Sequence, residues 1–327
     1  MPKLSIIICT RNRATALQPM LDALAALRSA HDYEILIADN GSTDDTRAVL
    51  DRAVTGIAHA RVITVDRIGL GAARDAAWRD ARGDLILFTD DDCYVAPDLV
   101  DAAVALFDRH PEIGFAGGRI LLHDPDDLPV TIDERTVAAV IEPRRFHLPG
   151  TLQGANMTFR RSALEAIGGI DAALGAGTPF PCEDIDAVAA CAWAGLSGRF
   201  DPAMVVRHHH RRKAADYPAL MAGYDRGRGA YYAKYLLRAD SRAAYLAGWW
   251  RASFRNLHRG NLSTLRRELA SMRQYLAYRR AWPSLAVATV AGWGASALLA
   301  GAILINKARI IVRPNAALRP LESEAAL

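Results

Sequence analysis

Leu85-Ile86-Leu87-Phe88-Thr89-Asp90-Asp91-Asp92-Cys93 is an apolar run that ends in three consecutive carboxylates. Gly83 stands before it and Pro97 after it. An uninterrupted apolar run bounded in this way predicts a strand buried on both faces, the kind found in parallel sheets. The carboxyl edge of an open α/β sheet is where such folds bind ligands. Adjacent carboxylates repel one another, and withdrawing them from water is costly unless a cation offsets their charge, so a hard divalent metal is a natural partner. A solvated acidic turn is the alternative that the stretch alone leaves open.

Upstream, strands and helices alternate. Residues 4–9 read as a first strand, 14–30 as an Ala/Leu-rich helix, Glu34–Ala38 as a second strand and Arg61–Val65 as a third. Gly69-Leu70-Gly71 then opens an Ala-rich helix running to about Ala81. Such alternation with short connections implies right-handed crossovers and a parallel sheet, which places Asp39 and Asp90–Asp92 on one rim. After Asp39, Asn40-Gly41 predicts a tight turn in which Ser42 or Thr43 can cap the next helix. Asp39 itself either stabilises that turn or meets a ligand. Gly69 and Gly71 lack a third glycine, so they read as a helix entry without a dinucleotide. Arg74, one turn in, is either a surface charge or a cation reaching an anionic ligand at the rim.

Downstream, the pattern predicts a helix over 98–110, a strand pair in Ile113–Leu122 and an irregular segment, 123–150, assigned to an acceptor side. Gly154-Ala155-Asn156 is either a close approach to a ligand or an ordinary bend. Glu183-Asp184 opens a helix to residue 194, where acids are favoured by the helix dipole whether or not they act on a ligand. A short strand, Met204–Val206, leads into Arg207-His208-His209-His210-Arg211-Arg212-Lys213.

Charge divides the 327 residues unevenly. Residues 1–206 hold 19 Lys and Arg against 30 Asp and Glu, and residues 207–281 hold 17 against 4, net −11 and +13. An acidic head joined to a basic region points away from nucleic-acid binding and towards a surface. From Tyr217 to Tyr278 arginines recur among aromatics such as Tyr231, Tyr232, Tyr235, Trp249, Trp250, Tyr275 and Tyr278, as in a helical segment lying on a membrane. Residues 282–305 are 24 uncharged positions, long enough to span a bilayer, to lie within one leaflet or to form a buried helix. The expected division is therefore 1–206 catalytic, 207–281 basic and amphipathic, 282–305 in the membrane and 306–327 a basic tail. Cys9, Cys93, Cys182 and Cys191 show no metal-type spacing and read as reduced core residues. Residues 4–9 are too short for a signal-peptide core, so the head is expected in the cytoplasm.

Ser5–Asn12, Asp39–Asp44, Gly71–Asp75, Thr89–Asp92, Gly154–Arg161 and Glu183-Asp184, in this order, resemble the family 2 glycosyltransferases, inverting enzymes of the nucleotide-sugar-binding GT-A fold. Asp75 stands where that family commonly has Asn. The resemblance covers roughly residues 3–208. It implies that Asp39 contacts the donor base, that Thr10, Asn12 and Arg74 line the nucleotide site, and that Asp90 and Asp91 position donor or metal. It further implies Asp92 and His208 as ligands of manganese or magnesium, Asp184 as the general base with Glu183 beside it, and Gly154, Ala155 and Asn156 on the acceptor side. His208 otherwise reads as part of a basic, solvated junction.

The expectation is a membrane-attached, metal-dependent transferase on the cytoplasmic face. It moves sugar from a nucleotide donor, a UDP-sugar, to a glycan or lipid-linked glycan. A polyprenyl-phosphate acceptor, which needs no base, and a non-catalytic sugar-nucleotide-binding scaffold are the alternatives.

Overall fold

Leu4–Thr10 forms β1, and all seven residues are buried. Gln18–Ala25 (α1), Tyr33–Asp39 (β2), Thr46–Ala53 (α2), Ala60–Thr64 (β3), Leu70–Asp80 (α3) and Leu85–Asp90 (β4) follow, in a computed structural model that describes residues 1–281. The expected membrane segment 282–305 and the tail 306–327 lie outside the described residues. β1 is flanked by β2 and β4 and parallel to both, and β2 is parallel to β3. The register sets Thr10 opposite Asp39 and Cys9 opposite Asp90, so the carboxyl ends of three strands share one rim.

Along β1, Leu4, Ile6 and Ile8 enter one core while Ile7 and Cys9 enter another, as the two-residue period of a strand requires. Two local expectations fail in this half. The first helix is only Gln18–Ala25, because Pro19 is tolerated in a first turn but not inside a helix, and residues 11–17 become a loop. Neither Ser42 nor Thr43 caps α2: Ser42 Oγ accepts from the Asn12 N–H at 3.0 Å, and Asp44 accepts from the Thr46 N–H at 3.0 Å.

The second half holds Cys93–Val95 (β5), Leu99–Arg109 (α4), Ile113–Leu122 (β6), Ala139–Ile141 (β7), Met157–Arg160 (β8), Arg161–Ile167 (α5), Glu183–Trp193 (α6) and Ser197–His208 (β9). The sheet runs β3-β2-β1-β4-β8-β6-β9-β5, with β7 also on β9. It is mixed rather than mainly parallel, since β8 runs antiparallel to β4 and β6, and β9 runs antiparallel to β5 and β7. The reason is that strict alternation ends at β4, since no helix immediately precedes β5, β7 or β8. β7 and β8 follow irregular chain, and without a helical crossover nothing compels a parallel direction.

Ile113–Leu122 is one ten-residue strand, not a pair. The expected short strand at Met204–Val206 is part of the twelve-residue β9, and Pro202 is accommodated because the β6–β9 register shifts between Gly118–Asp201 and Arg119–Val205.

Tyr217–Leu237 (α7), Arg242–His258 (α8) and Leu262–Tyr278 (α9) complete the described chain. Residues Met1–Tyr275 form one compact unit. Tyr231, Tyr232, Tyr235 and Tyr275 are buried, which corrects their reading as membrane-facing aromatics. Tyr235 donates to Asp186 O at 3.0 Å, and Lys234 lies 2.7 Å from both Asp171 and Asp186, tying α7 to α6. No described helix is long and apolar enough to cross a membrane.

Candidate active site

The rim formed by Thr10, Asp39 and Asp90 opens into a crevice of about 650 Å³, lined among others by Thr10, Arg13, Asn40, Asp90–Asp92 and His208. Thr10 Oγ1 donates to Asp91 Oδ2 at 2.6 Å, and Arg13 lies 3.4 Å from Asp91 and 3.5 Å from Asp92. Burial pushes Asp91 up to about 6 against the pull of Arg13 and Thr10. Asp90 is also raised by burial, although Arg74 opposes the shift.

The acidic turn joins β4 to β5, and β5 pairs with β9 so that Cys93 faces His208. This brings His208 Nε2 to 3.2 Å from Asp92 Oδ1, across more than a hundred residues of chain. Burial works against both charges, yet the pairing prevails: Asp92 is held below the usual carboxylate range and His208 is raised. Ligand atoms of Asp90, Asp92, Cys93 and His208 all lie within 4.8 Å of one another. Carboxylates with one imidazole fit manganese or magnesium, whereas burial keeps the Cys93 thiol protonated and a poor ligand.

Arg74 is 2% exposed and its guanidinium is shared among three acceptors. It reaches Asp90 at 2.7 Å, Glu183 at 3.0 Å and the Gly154 carbonyl at 3.1 Å. The Gly154 N–H in turn donates to Asp184 Oδ2 at 3.0 Å. A Cβ on Gly154 would stand 2.8 Å from Arg74 Nη1 and 3.2 Å from the Asp184 Cβ, so any larger residue here must push the guanidinium from its place. Glu183 and Asp184 begin α6, and the Ile185 N–H donates to Asp184 Oδ1 at 2.8 Å. Burial raises Glu183 to about 7 despite Arg74. Gly154, Ala155 and Asn156 are buried and none of them lines the crevice. Asn156 Nδ2 donates to Arg119 O at 3.0 Å and Met204 O at 3.1 Å.

Asp39 is buried, and its Oδ1 accepts from the Ser42 N–H at 3.1 Å. Asn12, at a positive φ of 54°, accepts from the Thr43 N–H at 2.7 Å and so joins the loops after β1 and β2. Three rim residues escaped the sequence reading. Asn40 donates to Val65 O and Arg67 O and accepts from the Gly69 N–H at 2.9 Å, binding two further loops together. Asn-Gly signals a turn, and nothing local distinguishes this asparagine as a crosslink. Arg13 was visible only as a charge beside the first strand, and Tyr224 of α7 as one aromatic among many; both line the crevice. Neither His209 nor His210 joins the Asp90–Asp92 group: His209 bonds Tyr94 Oη at 2.9 Å, and His210, which also lines the crevice, bonds Leu128 O at 2.7 Å. A second group, Asp124, Asp127 and His209, is partly offset by Lys213, 2.8 Å from Asp127 and 3.4 Å from Asp124, and staples the 123–131 loop to the chain after β9.

Residues 5–168, half of the chain, match the family model described as glycosyl transferase family 2. The chain belongs to glycosyl transferase family 2. The glycosyl transferase family 2 chain is 34% identical over 99 residues to the poly(ribitol-phosphate) beta-glucosyltransferase of Bacillus spizizenii, a match covering 29% of this chain and 16% of that protein. It spans about a quarter of the length of other curated relatives, among them the glycosyltransferase YfnE of Bacillus subtilis, at 33% identity over 30% of this chain. Two solved structures share its fold. One is residues 1–349 of TarS from S. aureus in complex with UDP-GlcNAc, with a TM-score of 0.62 at 17% identity over 84% of this chain and 80% of that one. The other is a mannosyltransferase from Pyrobaculum calidifontis in complex with GDP-Man and Mn2+, with a TM-score of 0.57 at 21% identity over 91% and 81%. The architecture is thus GT-A-like, with a mixed sheet.

Proposed function

We propose that this family 2 chain is an inverting transferase that moves a sugar from a nucleotide donor, a UDP-sugar, to a hydroxyl of a glycan or lipid-linked glycan. One observation carries the reading: the Asp92–His208 pair stands beside Asp90 at the crevice, and Arg74 connects Asp90 to the Glu183-Asp184 turn. Asp92 and His208, with Asp90 adjacent, would hold manganese or magnesium. When bound, that ion supplies charge stabilisation for the departing diphosphate.

The chain's own residues do the rest. Thr10 and Arg13 orient Asp91 and Asp92 at the mouth of the crevice, while Asn12, Asp39 and Asn40 hold the loops against which a donor base would rest. Asp184 takes the acceptor's proton. Each of its oxygens accepts one backbone N–H and keeps a lone pair for an incoming hydroxyl. Glu183, paired with Arg74, keeps that turn in place. Attachment at the cytoplasmic face of a membrane is supported by the +13 charge of residues 207–281, counted from 17 basic and 4 acidic residues, and by the uncharged stretch 282–305.

The test is a thermal-shift panel of UDP- and GDP-sugars with and without manganese, followed by turnover of the best binder. Metal-dependent stabilisation by a nucleotide sugar together with sugar transfer is the expected result. Stabilisation without turnover on any hydroxyl acceptor would leave a binding scaffold instead.

A further inference from the structure

α8 presents water with a face unlike that of its neighbour α9. Its inner side is anchored: Tyr245 Oη lies 2.6 Å from Tyr231 Oη, and a Cβ on Gly248 would collide with the Phe146 ring. On the outer side Leu246, Trp250 and Phe254, four residues apart, are 53%, 65% and 64% exposed. Arg242, Arg251 and Arg255 are exposed around this row, and α8 contains no acidic residue. The exposed positions of α9 are mostly polar, with Ser263, Arg266, Arg273 and Gln274, and its one large exposed apolar side chain is Tyr278 at the helix end. A contiguous row of large apolar side chains left in water marks a surface that something covers.

Charge identifies what covers it. Of the four acids in residues 207–281, Asp225 and Glu268 are buried against Arg228, with Arg267 also on Asp225, Asp240 is paired with Arg238 at 2.8 Å, and Asp216 accepts from the Lys213 N–H at 2.9 Å. The arginines beside the apolar row therefore have no acidic neighbour on their own helix. A second copy docking symmetrically would set these arginines against each other. An anionic bilayer meets both needs, with acyl chains for Leu246, Trp250 and Phe254 and lipid phosphates for the arginines.

We infer that the outer face of α8 is a docking surface for an anionic bilayer, lying in the plane of the lipid headgroups. The inference rests on the reading of the chain as membrane-associated, and it locates an attachment separate from residues 282–305.

Hydrogen–deuterium exchange on the full-length protein tests it. Vesicles of phosphatidylglycerol and phosphatidylcholine should slow exchange across Arg242–His258 several-fold, while pure phosphatidylcholine should not. A Trp250→Ser, Phe254→Ser variant should lose that protection yet keep its nucleotide-sugar thermal shift. Unchanged α8 exchange on a protein that still floats with the vesicles would overturn the inference and place attachment elsewhere. Protection that rises with protein concentration in the absence of lipid would also overturn it, making the face a protein contact. Lipid protection of α8 in a protein that turns over no sugar donor would sink the transferase reading and leave this one standing.

Discussion

Arg74 Nη1 lies 3.0 Å from Glu183 Oε1, joining α3 to the start of α6 across 109 positions, with both side chains shielded from water. The same guanidinium meets Asp90 at 2.7 Å, so one buried cation answers two carboxylates. Removing one member of a buried ion pair costs about 3–5 kcal/mol, because the partner's charge stays behind. Arg74→Met should therefore lose stability of up to about that size in urea unfolding at pH 8, above the value of about 7 at which Glu183 takes up its proton. A loss below about 1 kcal/mol would mean that water reaches this pair.

Glu183 makes the same region sensitive to pH. Its carboxyl is raised from 4.5 to about 7 by burial, against the pull of Arg74. Between these values the native state retains a proton that the unfolded chain releases. The stability it contributes is present below the unfolded pKa and is lost as pH rises through the folded one. Melting temperature should fall from about pH 4.5 to 7 more steeply in the wild type than in Glu183→Gln, which cannot ionise. Identical slopes in the two proteins would contradict the assignment.

Asp92→Asn keeps the side chain's size but weakens both its pairing with His208 and its capacity to hold a divalent ion. The variant should show no manganese-dependent component in titration calorimetry with a nucleotide sugar. Wild-type turnover in chelator-treated buffer would refute the metal reading.

Asp184→Asn keeps the side chain's size and one oxygen to accept either the Gly154 or the Ile185 N–H, but it takes up no proton. Donor affinity should persist while kcat falls by roughly 10² or more. Equal kcat would reduce Asp184 to a helix cap and favour a polyprenyl-phosphate acceptor.

Gly154→Ala adds one methyl group 2.8 Å from Arg74 and 3.2 Å from the Asp184 Cβ. Overpacking of this kind costs about 1–3 kcal/mol, and here it displaces the link between Arg74 and Asp184. The variant should lose both melting temperature and kcat. Unaltered values for both would show that Arg74 can move aside freely.

Much of the first half was legible because its signals are local. Apolar runs ending in acids marked β2 and β4, and short βα connections obliged their ends to meet at one rim, as the Thr10–Asp39 and Cys9–Asp90 register shows. After β4 the reading weakened. Residues 123–150 carry no period, and the strand read as only Met204–Val206 in fact starts at Ser197 and passes Pro202 through a shift in register.

The sequence by itself determined the strand-and-acid rim, the family and the polar residue types of the site, since each follows from patterns a few residues long. Only the tertiary structure decided that His208 stands against Asp92, that Arg74 is buried between Asp90 and Glu183, and that Tyr231, Tyr232 and Tyr235 of α7 face inward while Trp250 and Phe254 face out. Those outcomes depend on an antiparallel pairing of β5 with β9 and on which face of each helix meets the body. Both are set by contacts between segments far apart in the chain, and no local periodicity records them.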